Sequence, residues 1–321
     1  MAATARDSLL PVRIVWNTNN QDKAIATQLV DIESGYSVTG DHRKAFSRLL
    51  NIAKARSIIL NRRVRLRLFN DLAGVSARLR LYPIAMKCYF NAGRAAGLPD
   101  PEGPDINETD LPDDSAFYRG AVTVPSTPVK IETILSSFED RKDAASYAIL
   151  VQVKQPAPGK RKSFTGINNV GHMFITLIKY NRDNSIVSRS FGFYPHKSSL
   201  FSATPIHPGS PGVIKDDSGH DWDEIAGKFI SLRRFRRIIE TLQSYDHTAY
   251  NLNRNNCTDF GLTMARLGGI TIGDTRGRWP LGKGSNPGSA GQSILEGKIS
   301  NADEDYAEPL FVSNNNVACH R

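Results

Sequence analysis

The sequence predicts an α+β chain in which an all-helical region precedes an antiparallel sheet and a cysteine-bearing helix. Three observations carry that class. From Asp41 onward, Phe46, Leu49, Leu50, Ala53 and Ile58 recur near one helical face. Ala145 to Val153 and Phe174 to Ile178 are apolar runs of strand length, the second entered from an Asn/Gly turn. After Cys257, Phe260, Met264 and Leu267 return to helical spacing, and Gly268-Gly269 supplies the residues that end a helix.

Taken in order, Leu9 to Trp16 reads as a strand and Asn17 to Asn20 as a turn, before the helical region begins. Within that region, Leu68 to Leu79 followed by Tyr82 to Ala92 resembles one tetratricopeptide-like helical hairpin. Ala73, Ala85 and Ala92 allow close approach, and Tyr82, Tyr89 and Phe90 fill the remaining space. Pro83 suits the first turn of the second helix, where its missing N–H costs little. One repeat is too few for a free-standing solenoid, so the hairpin is expected to pack on its neighbours as a docking or oligomerisation element, with Cys88 as ordinary core. Gly97 to Ser115 is acidic and Pro-rich and marks a boundary. The expected organisation is a helical region over 1–96, a linker over 97–120, a second domain over 121–298 and a polar, frayed tail over 299–321.

In the second domain, Val129 to Leu135 reads as a short strand or helix, and Pro156 to Lys162 as a basic loop. The strand after Gly171-His172 turns at Asn181 to Asn184 and returns as Ser185 to Tyr194, an antiparallel hairpin. Val213 to Asp217 and Trp222 to Leu232 are strand-like, while His196, His207 and His220 fall in polar stretches and read as solvated. Leu232, Phe235, Ile238, Leu242 and Tyr245 trace a helical stripe beside Arg233, Arg234, Arg236 and Arg237. The glycine-rich Ile272 to Gly288 has no Gly-Lys-Ser/Thr after a strand, which excludes a phosphate loop; it is expected as a loop flanking the cleft, with Trp279 as a stacking surface.

Composition narrows the function classes. The 321 residues, 40% apolar, suffice for a sizeable core, and the formal charge of +9 favours anionic surfaces. No nucleic-acid motif sharpens that charge, so nucleic acid is not an expected partner. Three cysteines, Cys88, Cys257 and Cys319, make no disulfide framework, and neither they nor the seven histidines show metal-ligand spacing, so no metal and no cofactor are expected. Met1 to Trp16 lacks the pattern of a secretory signal, and no apolar run reaches the length of a membrane span. The expectation is a soluble, cytoplasmic chain, with export by a route lacking a cleaved signal left open.

The chemistry concentrates around Cys257. Placed in a first helical turn capped by Asn255 or Asn256, its thiolate is favoured by unpaired backbone N–H groups and the helix dipole. A free cysteine is ordinarily an inert core residue, but His172 supplies the base that acyl transfer requires of a nucleophile. Tyr250 and Asn251 are oxyanion candidates by position. Folding about the 181–184 turn brings Ser190 and Tyr194 alongside His172 as orienting groups, although a one-residue slip would put Phe191 and Phe193 there instead.

The order His172, strands, amphipathic helix, Tyr250-Asn251-Leu252 and Asn256-Cys257-Thr258-Asp259-Phe260 resembles the circularly permuted papain-like thiol hydrolases. These include permuted relatives of NlpC/P60 peptidases, lecithin:retinol acyltransferase-like proteins and PPPDE deubiquitinating peptidases. The likeness is greatest to PPPDE, whose early strands resemble Ser190-Phe191-Gly192-Phe193, and it covers Ala145 to Gly273. It departs at Asp259, where that family more usually has histidine, so its substrate does not carry over. The resemblance implies a permuted papain-like domain with Cys257 as nucleophile and His172 as base. The expected function is a cysteine-dependent peptidase or amidase acting on an amide or isopeptide, such as a cell-wall peptide, as a toxin or effector would. The alternatives are a thiol acyltransferase on lipid esters, or a non-catalytic interaction protein that binds a protein partner through its N-terminal helices and basic faces.

Overall fold

A computed structural model describes residues 20–39, 41–56, 61–96, 123–165, 169–196, 203–303 and 310–314. The expected strand at Leu9 to Trp16, the linker over 97–120 and Cys319 lie outside them.

Four helices open the described chain: α1 (Asn20–Thr39), α2 (His42–Arg56), α3 (Arg62–Arg78) and α4 (Tyr82–Ala96). The sequence reading missed α1. Its few apolar residues, Ile25, Leu29 and Ile32, do fall at helical spacing and are buried against the next helices. Asn61 caps α3 by accepting from the Arg63 N–H. The α3–α4 turn closes with Leu81 N–H on Ser76 O and Arg80 N–H on Ala77 O, which places Arg80 at φ 58 where glycine is more usual.

The remaining chain builds a mixed α+β arrangement around an eight-stranded antiparallel sheet. Its strands are β1 (Thr127–Pro128), β2 (Ala144–Lys154), β3 (His172–Asn181), β4 (Ile186–Pro195), β5 (Gly209–Asp216), β6 (Glu224–Ile230) and β12 (Phe311–Asn314). They run in the order β1-β5-β4-β3-β2-β6-β12, with β7 (Ala249–Asn251) added on β5. The β3–β4 hairpin sets Ile175 opposite Phe191 and Thr176 opposite Ser190. Every residue of β3 is buried because both faces of the sheet are covered.

On one face, Leu150, Phe174, Ile178, Tyr180, Trp222 and Phe311 share an apolar cluster with Leu68, Leu72 and Tyr82 of the helical region. On the other, Val151, Met173, Ile175, Phe191 and Phe193 pack with helices α5 (Ile131–Phe138), α6 (Leu232–Gln243) and α7 (Cys257–Leu267). The helical region thus forms one outer layer, the sheet the middle, and the cysteine helix lies in the layer opposite.

One open expectation is resolved and two are corrected. Val129 to Leu135, ambiguous in the sequence, contributes to α5, whose Ile131, Ile134 and Phe138 meet the core at helical spacing. The glycine-rich stretch is not a loop. It starts on the last residue of β8 (Ile270–Ile272) and contains a ribbon of β9 (Arg276–Trp279) and β10 (Gly282–Ser285) and the start of α8 (Pro287–Leu295). The glycines that weaken its strand signal are the residues that let the ribbon lie close to its neighbours. Within the segment expected as a frayed tail, β11 (Ile299–Asn301) pairs β8, and β12 closes the sheet edge with Phe311 buried. Among the described residues, no helix is long and apolar enough to cross a membrane.

Candidate active site

Cys257 is the first residue of α7. Asn256 precedes it in extended conformation and its side chain accepts from the N–H groups of Thr258 and Asp259. The Asp259 carboxylate in turn accepts from the Asn256 N–H, completing a capping box. That local role accounts for an aspartate at 259. The amide nitrogen of Asn256 also donates to the carbonyls of Leu252 and Ser285, so the cap is braced on both sides. Asn251 ends β7 just before the loop, its Oδ1 accepting from Asn253 N–H.

His172 opens β3 at the end of the sheet. Its Nε2 lies 3.1 Å from Asp217 Oδ2, and both side chains are buried. The approach depends on Gly192 in β4, where a Cβ would stand 2.4 Å from Asp217 Oδ2 and 2.5 Å from His172 Nε2. Asp217 follows β5 directly, and its other oxygen accepts from the Tyr194 hydroxyl at 2.6 Å and the Ser126 hydroxyl at 2.5 Å. Tyr194 also lies over the imidazole, ring centroids 4.2 Å apart. Ser190 instead joins a buried polar row, bonded to Thr176 Oγ1 at 2.7 Å, which accepts from Gln152 Nε2 at 2.6 Å. Ser190 supports the site through its backbone, its carbonyl accepting the Asp217 N–H.

Of the two polar residues expected to orient His172, Tyr194 touches the ring, but the carboxylate against Nε2 is Asp217. The sequence offered only an acidic residue closing a strand-like run. No spacing links it to a histidine 45 positions earlier; the link is the β4–β5 pairing that sets Phe191 opposite Asp216. His220 was expected in solvent, yet its ring packs 5.0 Å from that of His172. Burial, then the charge on His172, lowers its pKa, so it stays neutral beside its neighbour.

Thiol and imidazole bias one another's charge. Burial opposes charge on His172, but the charge and hydrogen bond of Asp217, reinforced by Cys257, raise its pKa to about 9. Burial likewise opposes the thiolate, and hydrogen bonding and charge from His172, the Met173 N–H and the Thr258 hydroxyl together lower the Cys257 pKa. Both shifts favour the thiolate–imidazolium form of the pair. Tyr250 stands beside the pair. Burial, then the charge of Cys257, holds its phenol well above the usual range.

No family model, curated protein or solved structure matches the chain. Cys88, the other described cysteine, is buried in the helical cluster. The chemistry open to the Cys257 site is that of a thiolate favoured by a neighbouring imidazolium at a helix N-terminus.

Proposed function

We propose that this chain is a cysteine-dependent hydrolase of amide or isopeptide bonds, built on a permuted papain-like arrangement. The observation that carries the reading is the line Cys257, His172, Asp217, in which each group shifts the next toward the charge state that nucleophilic catalysis requires. A histidine strand preceding the cysteine helix, with that helix packed on the sheet, supports the permuted order.

In this mechanism the Cys257 thiolate attacks the carbonyl carbon and the imidazolium of His172 protonates the departing amine. Water, deprotonated by the then neutral imidazole, hydrolyses the thioester. With Nε2 held by Asp217, Nδ1 is the nitrogen left to exchange the proton with sulfur. The oxyanion is received by the Cys257 backbone N–H and the Tyr250 hydroxyl, and losing one such donor raises the barrier by about 3 kcal/mol. A cell-wall peptide is a substrate of this class, and the α3–α4 hairpin is the element left for a protein partner.

Cys257→Ala tests the reading. It is expected to abolish hydrolysis while the circular dichroism spectrum and melting temperature stay near those of the parent. In the parent, iodoacetamide at neutral pH is expected to label Cys257 well ahead of Cys88 and Cys319. Turnover surviving in Cys257→Ala overturns the mechanism.

A further inference from the structure

The β9–β10 ribbon carries opposite chemistry on its two faces. Trp279 and the glycines across from and beside it turn inward. A Cβ on Gly282 would lie 2.3 Å from Asn253 Oδ1, and one on Gly284 2.8 Å from the Asn253 carbonyl oxygen. Only bare backbone fits there, against the loop that delivers Cys257, and the Asn256 cap is hydrogen-bonded to Ser285 O at 2.8 Å. Because strand side chains alternate, Arg276 and Arg278 project from the outward face, and the register sets Lys283 directly across from Arg278. All three are exposed, as is Arg254 in the adjoining loop, and none forms an ion pair with another described residue. Like charges directly opposite one another weaken a strand pair, a repulsion that a bound anion would relieve.

We propose that this face docks an extended peptide segment bearing acidic side chains, so that the amide presented to Cys257 lies next to an acidic stretch. This rests on the hydrolase reading above and names the substrate feature that the site selects. Residues two apart on a strand are about 7 Å apart, so acidic side chains at alternate positions of an extended peptide match the Arg276–Arg278 spacing. A single-stranded nucleic acid fits less well. Such ligands need aromatic platforms for their bases, and the ribbon's one aromatic ring, Trp279, faces inward, while the apolar side chain exposed at its tip is the aliphatic Leu281.

The test measures binding apart from turnover, using full-length chain carrying Cys257→Ala and fluorescent peptides of alternating Glu-Ala, alternating Lys-Ala and neutral sequence, with a single-stranded oligonucleotide as competitor. The Glu-Ala peptide is expected to bind more tightly than the other two, with affinity falling as salt rises. R276E/R278E is expected to weaken it by about tenfold or more and to gain affinity for the Lys-Ala peptide. Lys283→Glu, which replaces a repulsive cross-strand pair by an attractive one, gives a variant expected to fold at least as well and to show the same trend. Equal binding of all three peptides, binding unaltered in both variants, or an oligonucleotide that outcompetes the acidic peptide overturns the proposal. The two readings fail separately: a chain with an unreactive Cys257 that still binds the acidic peptide refutes the hydrolase, whereas a reactive chain indifferent to acidic peptides refutes only the docking surface.

Discussion

Asp217→Asn isolates the contribution of the buried carboxylate to the thiolate–imidazolium pair. The substitution keeps the size of the side chain and an oxygen for the Tyr194 and Ser126 hydroxyls, but removes the charge 3.1 Å from His172 Nε2. That neighbour, with Cys257, holds the imidazole at about 9 against an ordinary 6.5 in spite of burial. At about 1.4 kcal/mol per pH unit, the imidazolium is favoured by on the order of 3 kcal/mol. Without the carboxylate, burial dominates, the ring titrates at or below its ordinary value, and the thiol loses the cation that lowers it. A buried cysteine without such help is about 1% thiolate at neutral pH or less, so alkylation should slow by up to about a hundredfold at pH 7 and its midpoint should move toward alkaline pH. The assay is the pseudo-first-order rate of iodoacetamide labelling of the Cys257 peptide, followed by mass spectrometry between pH 5 and 10, with circular dichroism to verify the fold. A profile that overlays the parent's would refute the assignment of Asp217 as the group holding His172 charged, whatever the activity of the variant.

Gly192→Ala is expected to reproduce that profile from a neutral site, because the added methyl lands within 2.5 Å of both partners and must separate them; the same labelling experiment reads it. Glu224 gives an independent pH signature. Both its oxygens are buried without a hydrogen-bond partner among the described residues, and burial, then the charge of Asp223, raises its pKa to about 8 from an ordinary 4.5. The folded carboxyl therefore holds its proton more tightly than the unfolded one, so its effect on stability worsens as pH climbs from about 4.5 to about 8 and then levels off. Glu224→Gln should accordingly raise the melting temperature relative to the parent more at pH 9 than at pH 5, and an equal difference at the two pH values would show that the carboxyl is not neutral in the folded chain.

How much of this was legible in the sequence depended on the range of the interaction. Cys257, its Asn256 cap and the Gly268-Gly269 stop are encoded within a dozen residues, so helical spacing and capping chemistry expose them directly. The β3–β4 hairpin is likewise local, its turn at Asn181 to Asn184 being marked by residue type. Asp217 is not local. Its place beside His172 follows from the pairing of β4 with β5, and residue type at 217 carries no trace of it. The ribbon escaped notice for a different reason: Gly277, Gly282 and Gly284 depress strand propensity while close packing against Asn253 and Asn286 requires them, so tertiary fit overrode the local signal.

The same reasoning changes what the helical region does. Read as sequence, it was a docking element joined to a hydrolase by a linker. In the fold it closes the back of the sheet, where Tyr82 and Leu72 share a cluster with Phe174 and Trp222, and Phe174 stacks 5.8 Å from the His172 ring. Arg80, held at positive φ by the α3–α4 turn, donates to the carbonyl of His220, whose ring lies against His172. The polar row Gln152, Thr176, Ser190 sits buried in that sheet, one hydrogen bond from the backbone of Asp217. Water reaching this row would compete for each bond that fixes Asp217, and the dielectric that strengthens the Asp217–His172 pair would rise with it. Exclusion of solvent by α1–α4 is thus a condition for the charge state of the imidazole, which ties the N-terminal helices to the chemistry of Cys257 through the sheet between them.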